Sequence, residues 1–110
     1  REGMLEERIL HAVERRAAGF EEQRNMILST AAQLWRSETL RRNYARYQRG
    51  LRKDLEDWLP EVKQLARTRR EAVDAIASFE MWHRLHYQQG QSRLAAIDIM
   101  VGLLKDMIEA

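Results

Sequence analysis

The last helix-forming segment is more apolar than an ordinary surface helix, and this feature constrains the fold most. An amphipathic helix needs an apolar stripe of about 100°, and the arc in residues 93–110 covers more than half of the helical wheel. One part of this arc can pack on the chain's own core, and the other predicts a partner. The arc consists of two adjacent stripes: Leu94, Ile97, Val101, Leu104 and Ile108, and then Ala96, Ile99, Met100, Leu103 and Met107.

A second copy of the chain is the partner that this pattern favours. Buried Leu, Ile and Met side chains contribute roughly 1.5–3 kcal/mol each, and an exposed cluster of them marks an interface. A closed two-fold dimer is the commonest arrangement. We therefore expect a homodimer through the last two helices, with an interface formed by Ile97, Met100, Val101, Leu104 and Met107.

Length and composition indicate one domain, residues 1–110. The net charge is only +2, which makes no strong case for nucleic acid or an acidic membrane as partner. No Cys is present, so thiolate catalysis, thiolate metal sites and disulfides are excluded. No apolar run reaches membrane-spanning length, and we expect a soluble cytoplasmic protein. The chain begins with Arg1 rather than Met, so we expect a piece of a longer protein.

The fold class predicted is all-α, a five-helix antiparallel bundle. No stretch alternates apolar and polar residues with the period of a strand, and the Gly, Pro and Ser residues lie where helices are expected to begin or end. Ser37 and Ser92 are expected N-caps, Pro60 an expected stop, and Ala17-Ala18-Gly19 an expected break. The predicted helices cover about 2–16, 20–36, 38–59, 68–89 and a last helix after Ser92.

Two patterns could carry chemistry, and each has a plainer explanation that we favour. Arg42, Arg46, Arg49 and Lys53 line one side of the third predicted helix, which is typical of a solvated face; phosphate contact is the minor alternative. His83 and His86 are three residues apart, and Glu80 with His83 fits half of a di-iron carboxylate motif. The second half is missing. We therefore predict no enzyme, no metal and no cofactor.

A set of aromatic residues faces inward on the predicted helices. It could line a ligand cavity between helices, although such a set is more often plain core. No charged residue is predicted within these inner stripes, so an effector there should be neutral or weakly polar and mostly apolar. The predicted ligand-binding residues are Trp35, Tyr44, Tyr47, Phe79, Trp82 and His83.

Near the C-terminus the sequence has Ser78-Phe79 followed by Trp82 and Leu85, then Gln88-Gln89-Gly90 and the Ser92-capped apolar helix. This run resembles the C-terminal domain of TetR-family transcriptional regulators. The segment Leu40–Tyr47 also looks like the family's helix after the first pocket helices. These motifs are degenerate, and the resemblance covers nearly the whole chain.

The resemblance implies an effector-binding and dimerisation domain. Its last two helices would form a four-helix bundle with a second subunit, and its upstream helices would bind a small molecule. Operator DNA would be bound only through a separate N-terminal helix-turn-helix domain, and no segment of this chain has that spacing. The alternative is a helical structural dimerisation module with no ligand.

Overall fold

Residues 3–109, as described by a computed structural model, adopt an all-α fold, which confirms the all-α part of the predicted fold class. Within this range the chain forms five α-helices, short 3₁₀ turns and one π-helical segment, and no β-strand. The α-helices are α1 (Leu5–Ala32), α2 (Glu38–Trp58), α3 (Arg67–Ile76), α4 (Phe79–His83) and α5 (Arg93–Glu109). None of them is long and apolar enough to cross a membrane.

Helix α1 is one continuous helix of 28 residues, and the predicted break at Ala17-Ala18-Gly19 is wrong. Gly19 has an ordinary helical backbone, because positive φ values occur only at Gly3 and Gly90 in the described residues. Glycine in a helix costs about 1 kcal/mol relative to Ala, and burial on both sides of it outweighs that cost. The predicted start of this helix at Glu2 lies outside the described residues. The stripe continues in phase through Ile9, Ala12, Val13, Ala17, Phe20 and Ile27, all buried.

The segment predicted as one helix over 68–89 is divided at Ala77 and Ser78. Helix α3 ends there, and Ser78 turns to an extended backbone and caps α4 by accepting from the Met81 N–H at 3.1 Å. Helix α4 then passes into a π-helical segment, Arg84–Gln88, in which the Gln89 N–H bonds the Arg84 carbonyl at 2.7 Å. Gly90 ends it as predicted, with a φ of +71°.

Three of the predicted helix boundaries are confirmed by their local contacts. The hydroxyl of Ser37 accepts from the Leu40 N–H, and that of Ser92 accepts from the Ala95 N–H, each at 3.1 Å. Helix α2 ends at Trp58, just before Leu59 and Pro60. Side chains capping these ends satisfy N–H groups that have no partner within the helix.

The core lies where α1 meets α5, with α3 packed on α5 and the start of α4 packed on α1. Helix α2 packs less completely. Of its inner stripe only Leu55 is buried, whereas Tyr44, Tyr47 and Leu51 are half-buried. Its basic side, Arg42, Arg46, Arg49 and Lys53, is exposed to solvent. The incomplete packing leaves clefts along the inner side of α2.

Candidate ligand site

Several clefts lie along the inner side of α2, and two of them share Tyr44, Phe79 and Glu80 in their linings. The first, which we call the Asp74 cleft, has a volume of about 340 Å³. The second, the His83 cleft, has a volume of about 360 Å³. The Asp74 cleft is lined by Arg16, Tyr44, Tyr47, Gln48, Leu51, Asp74, Ala75, Ser78, Phe79 and Glu80. The His83 cleft is lined by Leu28, Ala31, Tyr44, Phe79, Glu80, His83, Arg84 and Gln88.

Tyr44 and Tyr47 stand one helical turn apart on α2, so their rings project from the same face. The ring centroids are 6.1 Å apart and the planes are tilted by 41°. The Tyr44 hydroxyl donates to the Glu80 carboxylate at 2.8 Å. Burial, and then the bond to Glu80, raises the pKa of Tyr44 well above its usual value. Tyr44 therefore stays a neutral phenol under physiological conditions.

Arg16 is a buried charge that the sequence analysis missed. Its side chain comes from α1 and is only 6% exposed. It donates to the backbone carbonyl of Ala77 at 3.2 Å, at the end of α3, and to the carbonyl of Leu51 in α2. Burial lowers the pKa of Arg16, and the nearby carboxylates of Asp54 and Asp74 partly oppose that effect. One guanidinium thus links three helices around the Asp74 cleft.

The expectation that no charged residue faces the pocket is therefore wrong. Asp74 and Glu80 also line the Asp74 cleft. Burial raises the pKa of Asp74 above its ordinary value, although the guanidinium of Arg52 opposes this. Arg16 had a readable signal, because it falls in phase with the buried stripe of α1. The predicted end of the first helix at Arg16 placed it at a helix terminus and hid that signal.

Four of the six predicted ligand-binding residues line the two clefts: Tyr44, Tyr47, Phe79 and His83. Trp35 does not belong with them, because it sits on the 3₁₀ turn Leu34–Arg36 and is 80% exposed. Trp82 is fully buried, packed against Phe20 and Phe79 with ring centroids 6.1 and 6.3 Å away. It supports the site from within the core rather than facing a ligand.

The two histidines of α4 and its π-helical extension have separate environments. His86 Nδ1 bonds the Gln91 carbonyl at 2.8 Å. His83 stacks on Tyr87 at 5.4 Å between centroids, and its Nε2 is buried without a hydrogen-bond partner among the described residues. Burial, and then the charge of Arg24, lowers the pKa of His83. Within residues 3–109 no three His, Asp or Glu side chains come together in a way that could hold a metal ion.

The predicted interface residues on α5 need correction. Ile97, Met100 and Leu104 are buried in the subunit's own core, and only Val101 and Met107 are half-buried. Three of the five predicted interface side chains are therefore taken up by the subunit's own core. The apolar residues of α5 that remain exposed are Leu94, at 73%, and Ile99, at 37%.

Comparison with known proteins gives no relative for this chain: no protein-family model, no curated protein and no solved structure matches it.

Proposed function

We propose that this domain binds a small-molecule effector and forms a homodimer, as the effector-binding domain of a TetR-like transcriptional regulator does. The observation that carries the proposal is the pair of clefts around Tyr44 and Phe79. Each cleft falls within the range of about 300–1,000 Å³ that small-molecule sites occupy. A structural module without a ligand has no need for half-buried tyrosines beside open volume, so the clefts favour the ligand-binding alternative.

The lining of the clefts argues for an amphipathic effector rather than an apolar one. Tyr44, Tyr47 and Phe79 supply aromatic walls, while Asp74 and Glu80 supply charge. A fully apolar molecule would desolvate these carboxylates without replacing their hydrogen bonds to water, which is costly. An effector with one polar end and one apolar end avoids this cost.

Effector binding between α2 and α4 has a direct route to a change of shape. The clefts separate these helices, and the Tyr44–Glu80 hydrogen bond spans the gap between them. A ligand that favours one spacing of the two helices shifts the population toward it. In a dimer joined through α5, such a shift would change the relative positions of attached DNA-binding domains.

The dimer proposed here uses the accessible face of α5. Ile99 and the half-buried Leu103 lie one turn apart on that face. Apolar side chains at this spacing form a stripe suited to a facing helix.

A thermal-shift screen of small amphipathic molecules tests the ligand-binding proposal. A compound at a hundredfold excess over its dissociation constant should stabilise the fold by about 2.7 kcal/mol. Tyr47→Ala should reduce that shift, because Tyr47 lines the Asp74 cleft. Trp35→Ala is the matched control, since it removes an aromatic ring that is exposed on a turn. Equal loss of the shift in both variants would place the ligand elsewhere, and no shift with any compound would favour the structural module.

A further inference from the structure

The Tyr44–Glu80 hydrogen bond lies on the boundary between the two clefts. Tyr44, Phe79 and Glu80 line both of them. The 2.8 Å bond joins a side chain of α2 to one of α4 and is exposed to solvent. It therefore works as a bar that divides one groove into two parts.

Removing this bar would create a site of a different size class. Either cleft alone is near the lower end of the range for small-molecule sites. Joined, they would have roughly twice the volume of either, which places the groove near the middle of that range. An exposed hydrogen bond contributes only about 0.5–1.5 kcal/mol, so a ligand that replaces it can open the bar.

Glu80 is the charged group that such a ligand would meet. Within residues 3–109 it forms no ion pair, and the Tyr44 hydroxyl is its hydrogen-bond donor. Arg84 lines the same cleft one turn further on, at an exposed position, without pairing with Glu80. The Glu80 side chain is thus exposed, no ion-pair partner lies beside it among residues 3–109, and it shares the lining of both clefts with Tyr44 and Phe79.

The nearby cation does not reverse this charge. Arg16 donates to the carbonyls of Leu51 and Ala77, and its Nε is buried away from solvent. Asp74 adds a second carboxylate to the lining, with Arg52 at 3.8 Å. An anionic ligand would therefore meet two carboxylates before it reached the guanidinium. Aromatic faces beside a carboxylate are the surroundings that organic cations prefer.

We propose that the ligand of this groove is an organic cation whose ammonium group pairs with Glu80 in place of the Tyr44 hydroxyl. Its apolar part lies along Phe79 and the freed Tyr44 ring, across both clefts. This inference rests on the proposed ligand-binding function and specifies the chemical class of the effector.

Three naphthalene probes that differ in charge test the proposal by their fluorescence: 1-naphthylmethyl-trimethylammonium, neutral 1-naphthalenemethanol and anionic 1-naphthylacetate. The cation should bind about tenfold more tightly than the neutral probe, because Coulomb attraction to the Glu80 carboxylate and a cation–π contact are added. Glu80→Gln should abolish most of that preference. Glu22→Gln is the matched control, since it removes the same charge from an exposed position of α1.

Tyr44→Phe gives the sharpest result. It keeps the ring but removes the hydroxyl that competes for Glu80, so cation binding should become about threefold tighter. A residue that merely lined the site would give weaker or unchanged binding. Weaker or unchanged cation binding in this variant, a preference that survives Glu80→Gln, or tightest binding of the anionic probe would each overturn the proposal. Binding without charge preference would overturn it while leaving the ligand-binding function intact, and failure of all three probes to bind would count against both.

Discussion

Replacing Arg16 should show how much of the fold depends on one buried guanidinium. The side chain is 6% exposed and donates to the carbonyls of Ala77 and Leu51, so it links α1 to α3 and α2. The Ala77 carbonyl is the critical partner, because it lies past the last turn of α3 and Ala77 itself is fully buried. Carbonyl groups at a helix end have no partner within the helix.

The magnitude follows from what each substitution leaves behind. Arg16→Ala leaves a buried carbonyl without its donor, at about 1–3 kcal/mol, and removes two buried methylene groups, at about 0.8 kcal/mol each. We expect a loss of about 3–4 kcal/mol in the free energy of unfolding. Arg16→Met keeps an apolar stem and removes a charge that is costly to desolvate, so its loss should be about 1–2 kcal/mol.

Urea unfolding followed by circular dichroism measures both effects. With a typical slope of about 1–3 kcal/mol per molar urea, the Ala variant should lower the midpoint by about 1–4 M. Arg46→Ala is the control, because Arg46 is an exposed arginine of α2, and such surface changes stay within about 0.5 kcal/mol. An Arg16→Ala protein as stable as this control would refute the reasoning. Equal losses for the Ala and Met variants would show that the stem contributes nothing.

Three further results are expected. Gly19→Ala should raise the free energy of unfolding by about 0.5–1 kcal/mol, because an added Cβ meets no atom within 4 Å. Gly90→Ala should lower it by about 1–2 kcal/mol, because the φ of Gly90 is +71°. Urea unfolding compares the two variants, and changes of the same sign would contradict the helix assignment. Leu104→Glu should unfold the subunit, because Leu104 is 0% exposed. For the proposed homodimer, Ile99→Glu should stay folded and sediment at half the wild-type mass; a folded, dimeric Leu104→Glu protein would be the contrary result. The pKa of His83 is lowered in the folded state, so its contribution to stability is complete above the unfolded pKa of 6.5 and is lost as the pH falls through the folded pKa. His83→Phe should flatten the plot of stability against pH between these two pKa values. An unchanged plot would assign the loss to another group.

Features that depend on a few neighbouring residues could be predicted from the sequence. Ser37 and Ser92 cap their helices, and Pro60 and Gly90 stop theirs. Each of these effects acts within one turn of backbone, through a hydroxyl that reaches an N–H or a ring that fixes φ. Tertiary contacts have little influence on them, so the sequence alone was sufficient.

Features that depend on distant contacts could not be predicted in this way. Gly19 resembled a helix stop, yet the buried stripe on both sides holds α1 straight through it. At Ser78 a continuous helix was predicted, because no Gly or Pro lies beside it, but the helix is interrupted there. There the chain ends α3 because Ser78 caps α4 and Arg16 satisfies the Ala77 carbonyl from another helix. Local propensity is worth about 1 kcal/mol per residue, and such contacts exceed it.

The errors about the helix break, the charge and the clefts have one physical origin. Because α1 continues through Gly19, Arg16 stays in phase with the buried stripe and reaches the Leu51 carbonyl within α2 and the Ala77 carbonyl at the end of α3. A guanidinium needs room and carbonyl partners, so α2 cannot pack as closely beside it as an aliphatic residue would allow. Tyr44 and Tyr47 are then left half-buried. Arg16 lines the Asp74 cleft together with both tyrosines, so the proposed site includes the residue that the helical wheel of a broken α1 left out.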